Sequence, residues 1–171
     1  MPSLFNRPIV VWFRNDLRIN DHPALHAAFK KNAPVIPIYI LNQEFKIGSA
    51  SLWWLEGSLV ALRKSLESIN SRLILRRGEP LEVLHNIIKC SGAKAIYFSR
   101  CYEPTFVEQE KNLAKFLNKK NIECRRFSGS LLIEPEMVKS KTGNAFKVFT
   151  PFYNACLNME IINEPIPAPR I

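Results

Sequence analysis

The chain has 171 residues, 47% hydrophobic and 23% charged, with a formal net charge of +9. That length suits one domain with its own core, and the composition excludes disordered and fibrous proteins. No apolar stretch approaches the roughly 18–20 residues of a transmembrane helix, and the N-terminus lacks the apolar core of a secretory signal. A cytoplasmic protein with no membrane partner is therefore expected.

In chain order, IVVWF (9–13) is a continuous apolar, β-branched run, which marks a strand buried on both faces. NDHPALHAAFKK (20–31) opens with turn and cap residues, places Pro23 in a first helical turn and closes on lysines. VIPIYIL (35–41) is a second strand, and its Pro37 predicts an edge position or a bulge. Leu52, Leu55, Leu59, Leu62, Leu66 and Ile69 recur at three- and four-residue spacing and predict a long amphipathic helix. RLILRRG (72–78) is a third strand. Gly78, Glu79 and Pro80 turn the chain into a helix whose apolar face is Leu81, Leu84, Ile87 and Ile88. AKAIYFSR (93–100) is the fourth strand, Phe106, Val107, Glu110, Leu113 and Leu117 mark a fourth helix, and IECRRF (122–127) is the fifth strand. This alternation calls for a parallel sheet with helices on both faces. From Leu131 onward the periodicity fades, and PIPAPRI (165–171) reads as an extended, proline-rich segment. Residues 1–130 are thus expected to form the α/β domain, and 131–171 an irregular segment and linker.

Several chemistries find no footing. There is no G-x-G-x-x-G, no P-loop and no G-x-S-x-G elbow. The four cysteines lack zinc spacing and read as reduced, mostly buried thiols. His22, His26 and His85 have no sequence-adjacent partners for a metal or a catalytic set, so packing roles are expected and no metal site. The basic excess is densest between Lys111 and Lys147, with nine basic against three acidic side chains. It fits either a solvated basic face or attraction to a polyanion such as DNA.

Position then carries the argument. Open parallel sheets bind ligands beyond the carboxyl ends of their strands, where the strand order reverses. With the first strand central, that crevice is bordered by RNDLR (14–18), NQEF (42–45) and SRCYEP (99–104). Arg14, Asp16, Arg100, Tyr102 and Glu103 there combine charge with aromatic surface and suit a flat heterocycle with polar edges. Arg14 and Glu103 are expected to face one cleft, with Leu41 or Phe45 as its apolar wall. Asp16 and Arg18 are expected to brace their own loop through local ion pairs.

The stretch VVWFRNDLRINDHPAL (10–25) resembles the opening W-F-R-x-D-L-R-x-x-D-N-x-A-L of the DNA photolyase/cryptochrome family, with His22 where asparagine is usual. PVIPIYIL, RRGEP and GNAFKVFTPFYNA (143–155) follow in the family's order, so the resemblance spans roughly residues 8 to 155. It implies a five-stranded parallel, Rossmann-like sheet of order 3-2-1-4-5, carrying an antenna chromophore beside a C-terminal helical domain that binds FAD and damaged DNA. In a full-length photolyase the antenna passes excitation energy to reduced FAD, which splits a cyclobutane pyrimidine dimer. The family's catalytic half is missing from this chain, so no catalytic residue and no activity of its own are expected. Weak self-association through the Phe146–Tyr153 aromatics is expected.

The antenna is a folate, a deazaflavin or a flavin in this family. Thr105 and Phe106 stand where folate-binding relatives carry an Asn-Glu pair. Asn42 and Cys101 stand where deazaflavin types carry acidic residues, while Glu103 and Pro104 match an E-P pair of those types. The antenna-binding set is accordingly Arg14, Asn42, Phe45, Arg100, Cys101, Tyr102 and Glu103. A cryptochrome-type light receptor is the alternative. A free-standing nucleotide-binding module like the stress-protein and electron-transfer-flavoprotein families is a further one, although their glycine-rich phosphate loop is absent.

Overall fold

The computed structural model describes residues 6–42, 48–140, 142–159 and 164–170. Five parallel strands form one sheet in the order β3-β2-β1-β4-β5. They are β1 (Ile9–Phe13), β2 (Val35–Leu41), β3 (Ile74–Arg77), β4 (Ala95–Ser99) and β5 (Glu123–Phe127). All five residues of β1 and all five of β4 are buried, as expected of central strands covered on both faces.

The helices are α1 (Pro23–Phe29), α2 (Ser49–Glu67), α3 (Pro80–Ser91), α4 (Pro104–Asn118) and α5 (Phe149–Leu157). On one face Val10, Trp12, Ile38, Ile40, Ile96 and Phe98 pack against Leu84 and Ile88 of α3 and Leu113 and Leu117 of α4. On the other, Ile9, Val11, Phe13, Ala95 and Tyr97 meet Ala24, Leu25 and Ala28 of α1 and Leu62 and Leu66 of α2. Each fully buried large apolar side chain contributes about 1.5–3 kcal/mol, so this alternation of faces is what holds the register.

Three helices begin with a proline, where the missing N–H has no intrahelical partner to lose. Glu79 caps α3 by accepting the Glu82 N–H at 2.9 Å, and Gly92 ends that helix in the left-handed conformation at φ 66°. These punctuations set where each strand stops and hence where the loops after β1, β2 and β4 converge.

Four sequence expectations need correction. Pro37 lies in an interior strand with continuous register against β1, neither at an edge nor in a bulge. The β2–β3 pairing begins one residue later, at Ile38 and Ile74, so no ladder bond on that side is lost. Only Cys101 is buried; Cys90 is exposed and Cys124 and Cys156 are half-buried, all with free thiols. The apolar stripe predicted for α2 is buried only at Leu62 and Leu66, while Leu52 at its start is exposed, as are Trp53 and Trp54. Residues 149–157, read as irregular, form α5 because Pro151 falls in the first turn, where it breaks no helical bond, and Phe149 stacks on Tyr153 one turn on.

Residues beyond 130 also return to the sheet domain. Ile166 accepts the Asp21 N–H at 2.6 Å and donates its own N–H to Asp21 Oδ1 at 3.3 Å. Val138 is buried. Among the described residues no helix is long and apolar enough to cross a membrane.

Candidate functional site

The strand order reverses at β1, whose neighbours are β2 and β4. Beyond the carboxyl ends of these strands lies a cavity of about 220 Å³. Trp12, Tyr39, Leu41, Pro80 and Phe106 give it apolar walls, and Arg14, Asn42, Cys101 and Gln109 add polar atoms. Trp12 reaches it because the last residues of β1 alternate between faces, and Phe106 because α4 starts directly above the end of β4.

Arg14 follows β1 and is nearly enclosed. Its Nη2 donates to the Ser99 carbonyl and, at 2.7 Å, to Glu110 Oε1. The guanidinium carbon lies 4.8 Å from the Trp12 ring centre and 5.0 Å from that of Phe98, a double cation–π contact. Its Nε and Nη1, and Trp12 Nε1, are buried N–H groups with no hydrogen-bond partner among the described residues. Such groups cost roughly 1–3 kcal/mol each when unpaired, and both residues that carry them line the cavity.

Glu110 is the residue that sequence reasoning placed only in a helix pattern. It is 3% exposed and accepts from Arg14, from the Cys101 N–H at 2.8 Å and from Arg126 Nη1 at 3.2 Å. Its signal in the sequence is a carboxylate in register with the buried stripe Phe106, Leu113 and Leu117. A carboxylate at a buried position needs a cationic partner.

The remaining expected residues divide. Asn42 and Cys101 line the cavity, and burial pushes the Cys101 thiol up to about 11, which keeps it neutral. Phe45 lies outside the described residues. Glu103 does not line this cavity. It occupies the N-cap position of α4 without a side-chain capping bond, is exposed, accepts the Tyr102 N–H at 3.2 Å, and shares with Arg14 a second hollow. Arg100 and Tyr102 border that same hollow, and their polar ends turn to residues 134–136. Arg100 pairs with Glu134 at 2.9 Å and Glu136 at 2.8 Å, and the Tyr102 hydroxyl donates to Glu134 at 2.8 Å. Burial, with Glu134 beside it, pushes the Tyr102 hydroxyl up to about 12.

Asp16 and Arg18 hold the loop, Arg18 through backbone carbonyls rather than through the expected local ion pairs, its contact with the Asp21 carboxylate being 3.8 Å. Arg18 donates to the carbonyls of Asp21 and Gly129, both at 2.8 Å. Asp16 Oδ1 accepts the Arg14 N–H at 2.9 Å, and its Oδ2 lies 2.8 Å from His22 Nε2. His85 packs edge-on against Phe116. Among the described residues no three His, Cys, Asp or Glu side chains gather as metal ligands.

A doubly wound parallel sheet with a partly polar cavity at its switch point defines a ligand-binding α/β domain. The DNA photolyase family profile matches residues 9–170, and the chain belongs to that family, corresponding to its N-terminal α/β domain. A deoxyribodipyrimidine photo-lyase of Agrobacterium fabrum is 38% identical over 169 residues, 98% of this chain and 35% of that protein. Cryptochrome-1 of Arabidopsis thaliana is 36% identical over 155 residues, 88% of this chain and 23% of that protein. The crystal structure of a bacterial class III photolyase from Agrobacterium tumefaciens superposes with a TM-score of 0.93 at 39% identity, covering 98% of this chain and 35% of that one. The chain therefore spans about a third of the length of these photolyases.

The Asp16 carboxylate gives the site a pH signature. Burial alone would raise its pKa, but His22, Ser99 and the Arg14 N–H outweigh burial and hold it well below the usual carboxylate range. A depressed folded-state pKa means the stabilisation is complete above the unfolded value of 3.8 and is lost as pH falls below it. Asp16→Asn should lower stability by roughly 1.5–3 kcal/mol at neutral pH, the loss of hydrogen bonding to a charged acceptor, and flatten the acid limb of the urea-denaturation profile. An unchanged acid limb would mean that Asp16 is not the ionised brace described.

Proposed function

We propose that the cavity beyond β1, β2 and β4 seats an antenna chromophore, and that the full-length protein is a DNA photolyase acting on cyclobutane pyrimidine dimers with reduced FAD. The observation that carries this reading is the pair Arg14 and Trp12: both line an apolar cavity and both keep buried N–H donors unsatisfied. A planar heterocycle with carbonyl or carboxylate edges answers both features. Trp12, Tyr39, Leu41 and Phe106 would hold its faces. Arg14 would donate to an edge oxygen, with the amides of Asn42 and Gln109 at other edges. The neutral Cys101 thiol would add a small, soft wall. Arg100, Tyr102 and Glu103 would form the polar rim behind Arg14 rather than touch the ring. When bound, a folate, deazaflavin or flavin supplies light absorption and transfer of excitation energy to FAD.

FAD and damaged DNA are assigned in this reading to a C-terminal domain of the longer protein, and the isolated chain to neither stoichiometric FAD binding nor repair. A cryptochrome-type receptor is the second reading, favoured by the near-equal identity to Arabidopsis cryptochrome-1. Light-dependent dimer repair by the full-length protein separates the two.

The test of the cavity is a titration of full-length protein with methenyltetrahydrofolate, a deazaflavin and FMN, followed by absorbance. Arg14→Ala should weaken the accepted chromophore by about tenfold or more, the loss of a charge-assisted hydrogen bond. Glu103→Ala, off the cavity wall, should change it by less than about threefold, the effect of a rim charge. Equal binding in the wild type and Arg14→Ala would contradict the assignment.

The exposed face of α5 supports weak self-association of the isolated chain. Phe149 and Leu157 are 72% and 64% exposed, and apolar surface of this kind is ordinarily covered. Sedimentation velocity should show a concentration-dependent rise in weight-average mass that Phe149→Ser with Leu157→Ser abolishes. A clean monomer at high concentration would exclude it.

A further inference from the structure

Asp16 and His22 are buried to 4% and 1% exposure, yet neither lines the main cavity. Their geometry joins the first helix to the peptide that carries Arg14. His22 is the N-cap of α1, and its Nδ1 accepts the Leu25 N–H at 3.1 Å. An accepting Nδ1 carries no proton, which leaves Nε2 as the protonated ring nitrogen. That nitrogen lies 2.8 Å from Asp16 Oδ2, a close ion-pair-range contact outside hydrogen-bond geometry, and the other oxygen of the same carboxylate accepts the Arg14 N–H at 2.9 Å. The ring is fixed laterally by Phe13, 4.7 Å between centres. A helix cap needs only a short acceptor such as Ser, Thr, Asn or Asp. An imidazole that caps with one nitrogen and faces a buried carboxylate with the other does more than cap.

We infer that Asp16 and His22 are positioning residues for the Arg14 guanidinium: His22 orients the Asp16 carboxylate, and that carboxylate fixes the turn from which Arg14 enters the cavity wall. The purpose of this arrangement rests on the chromophore reading, because a preset donor is what a planar ligand meets on entry. Its physical content does not. Arg14 leaves β1 at residue 14, directly after the last strand residue Phe13, and a small change in that peptide swings a long side chain. Glu110 and Ser99 hold the guanidinium at its far end. The Asp16 contact holds it at its root. A side chain fastened at both ends has one direction available for its remaining N–H groups.

The decisive variant is His22→Ser, which restores a cap acceptor for the Leu25 N–H but is too short to reach Asp16. Hydrogen exchange is read by NMR at the buried Arg14 Nε–H and at the backbone amides of α1. A positioning role predicts at least a tenfold faster exchange at Arg14 Nε, with α1 amides within threefold of the unmodified protein. Arg14 Nε exchange unchanged within twofold, with α1 intact, would overturn the inference. If His22→Ser does not fold, the unmodified protein still decides. Nitrogen chemical shifts of the His22 ring must show an unprotonated, accepting Nδ1, and a proton on Nδ1 would contradict the arrangement. Neither readout requires a chromophore, so failure of folate, deazaflavin and FMN to bind would remove the cavity reading and leave this one standing.

Discussion

Four elements of this domain meet at one buried carboxylate. Glu110 on α4 accepts from Arg14 after β1, from the Cys101 N–H after β4 and from Arg126 on β5. Both Arg14 and Glu110 are nearly enclosed, with side-chain exposures of 8% and 3%, so water screens their attraction little. Burying the two charges costs several kcal/mol of hydration per ion, which the pairing, the extra hydrogen bonds and the Trp12 and Phe98 rings offset. A hydrophobic pair of the same volume would meet that cost more simply. What the ion pair adds is direction, since it fixes a cation that lines the cavity.

Around this pair the molecule uses polar ties where the core has no reach. Arg18 fastens residues 128–130 to the start of α1 through Gly129, whose φ of 152° brings its backbone against Pro23. A Cβ there would sit 3.0 Å from the Pro23 ring, so the close approach requires glycine. Arg100 and Tyr102 hold Glu134 and Glu136 over the end of β4. Asp21 and Asn20 hold residues 166 and 168. The segment after β5 is thereby drawn across the same edge that carries the cavity, while α5 is left with its aromatic face outward.

The fold was legible because burial writes itself into sequence as periodicity. IVVWF reads as a two-sided strand, and Pro23 and Pro80 announce two helix starts. The family resemblance, through W-F-R-x-D-L-R and its three companions, supplied the strand order that periodicity leaves open. The cavity was half legible. Loops at a switch point can be located from strand order, so Arg14, Leu41, Asn42 and Cys101 were found. Trp12, Tyr39, Phe106 and Gln109 were not, because residues within strands and helices read first as core. Glu103 does share a hollow with Arg14, as expected, but that hollow is a second one beside the Trp12-lined cavity. Glu110 was visible as a charge on an apolar stripe, but its partner lies 96 residues away and only the folded sheet brings them together.

The central claim is that Arg14 and Glu110 act as one unit. A double-mutant cycle with Arg14→Met and Glu110→Leu, read by urea denaturation at neutral pH, tests it most directly. Glu110→Leu leaves the buried Arg14 charge without a carboxylate and should cost about 3–5 kcal/mol, Arg14→Met leaves Glu110 paired only with Arg126 and should cost less, and the double change should cost much less than their sum. A coupling energy of at least about 2 kcal/mol is the predicted result. Additivity within about 0.5 kcal/mol would show two independent side chains and contradict the account.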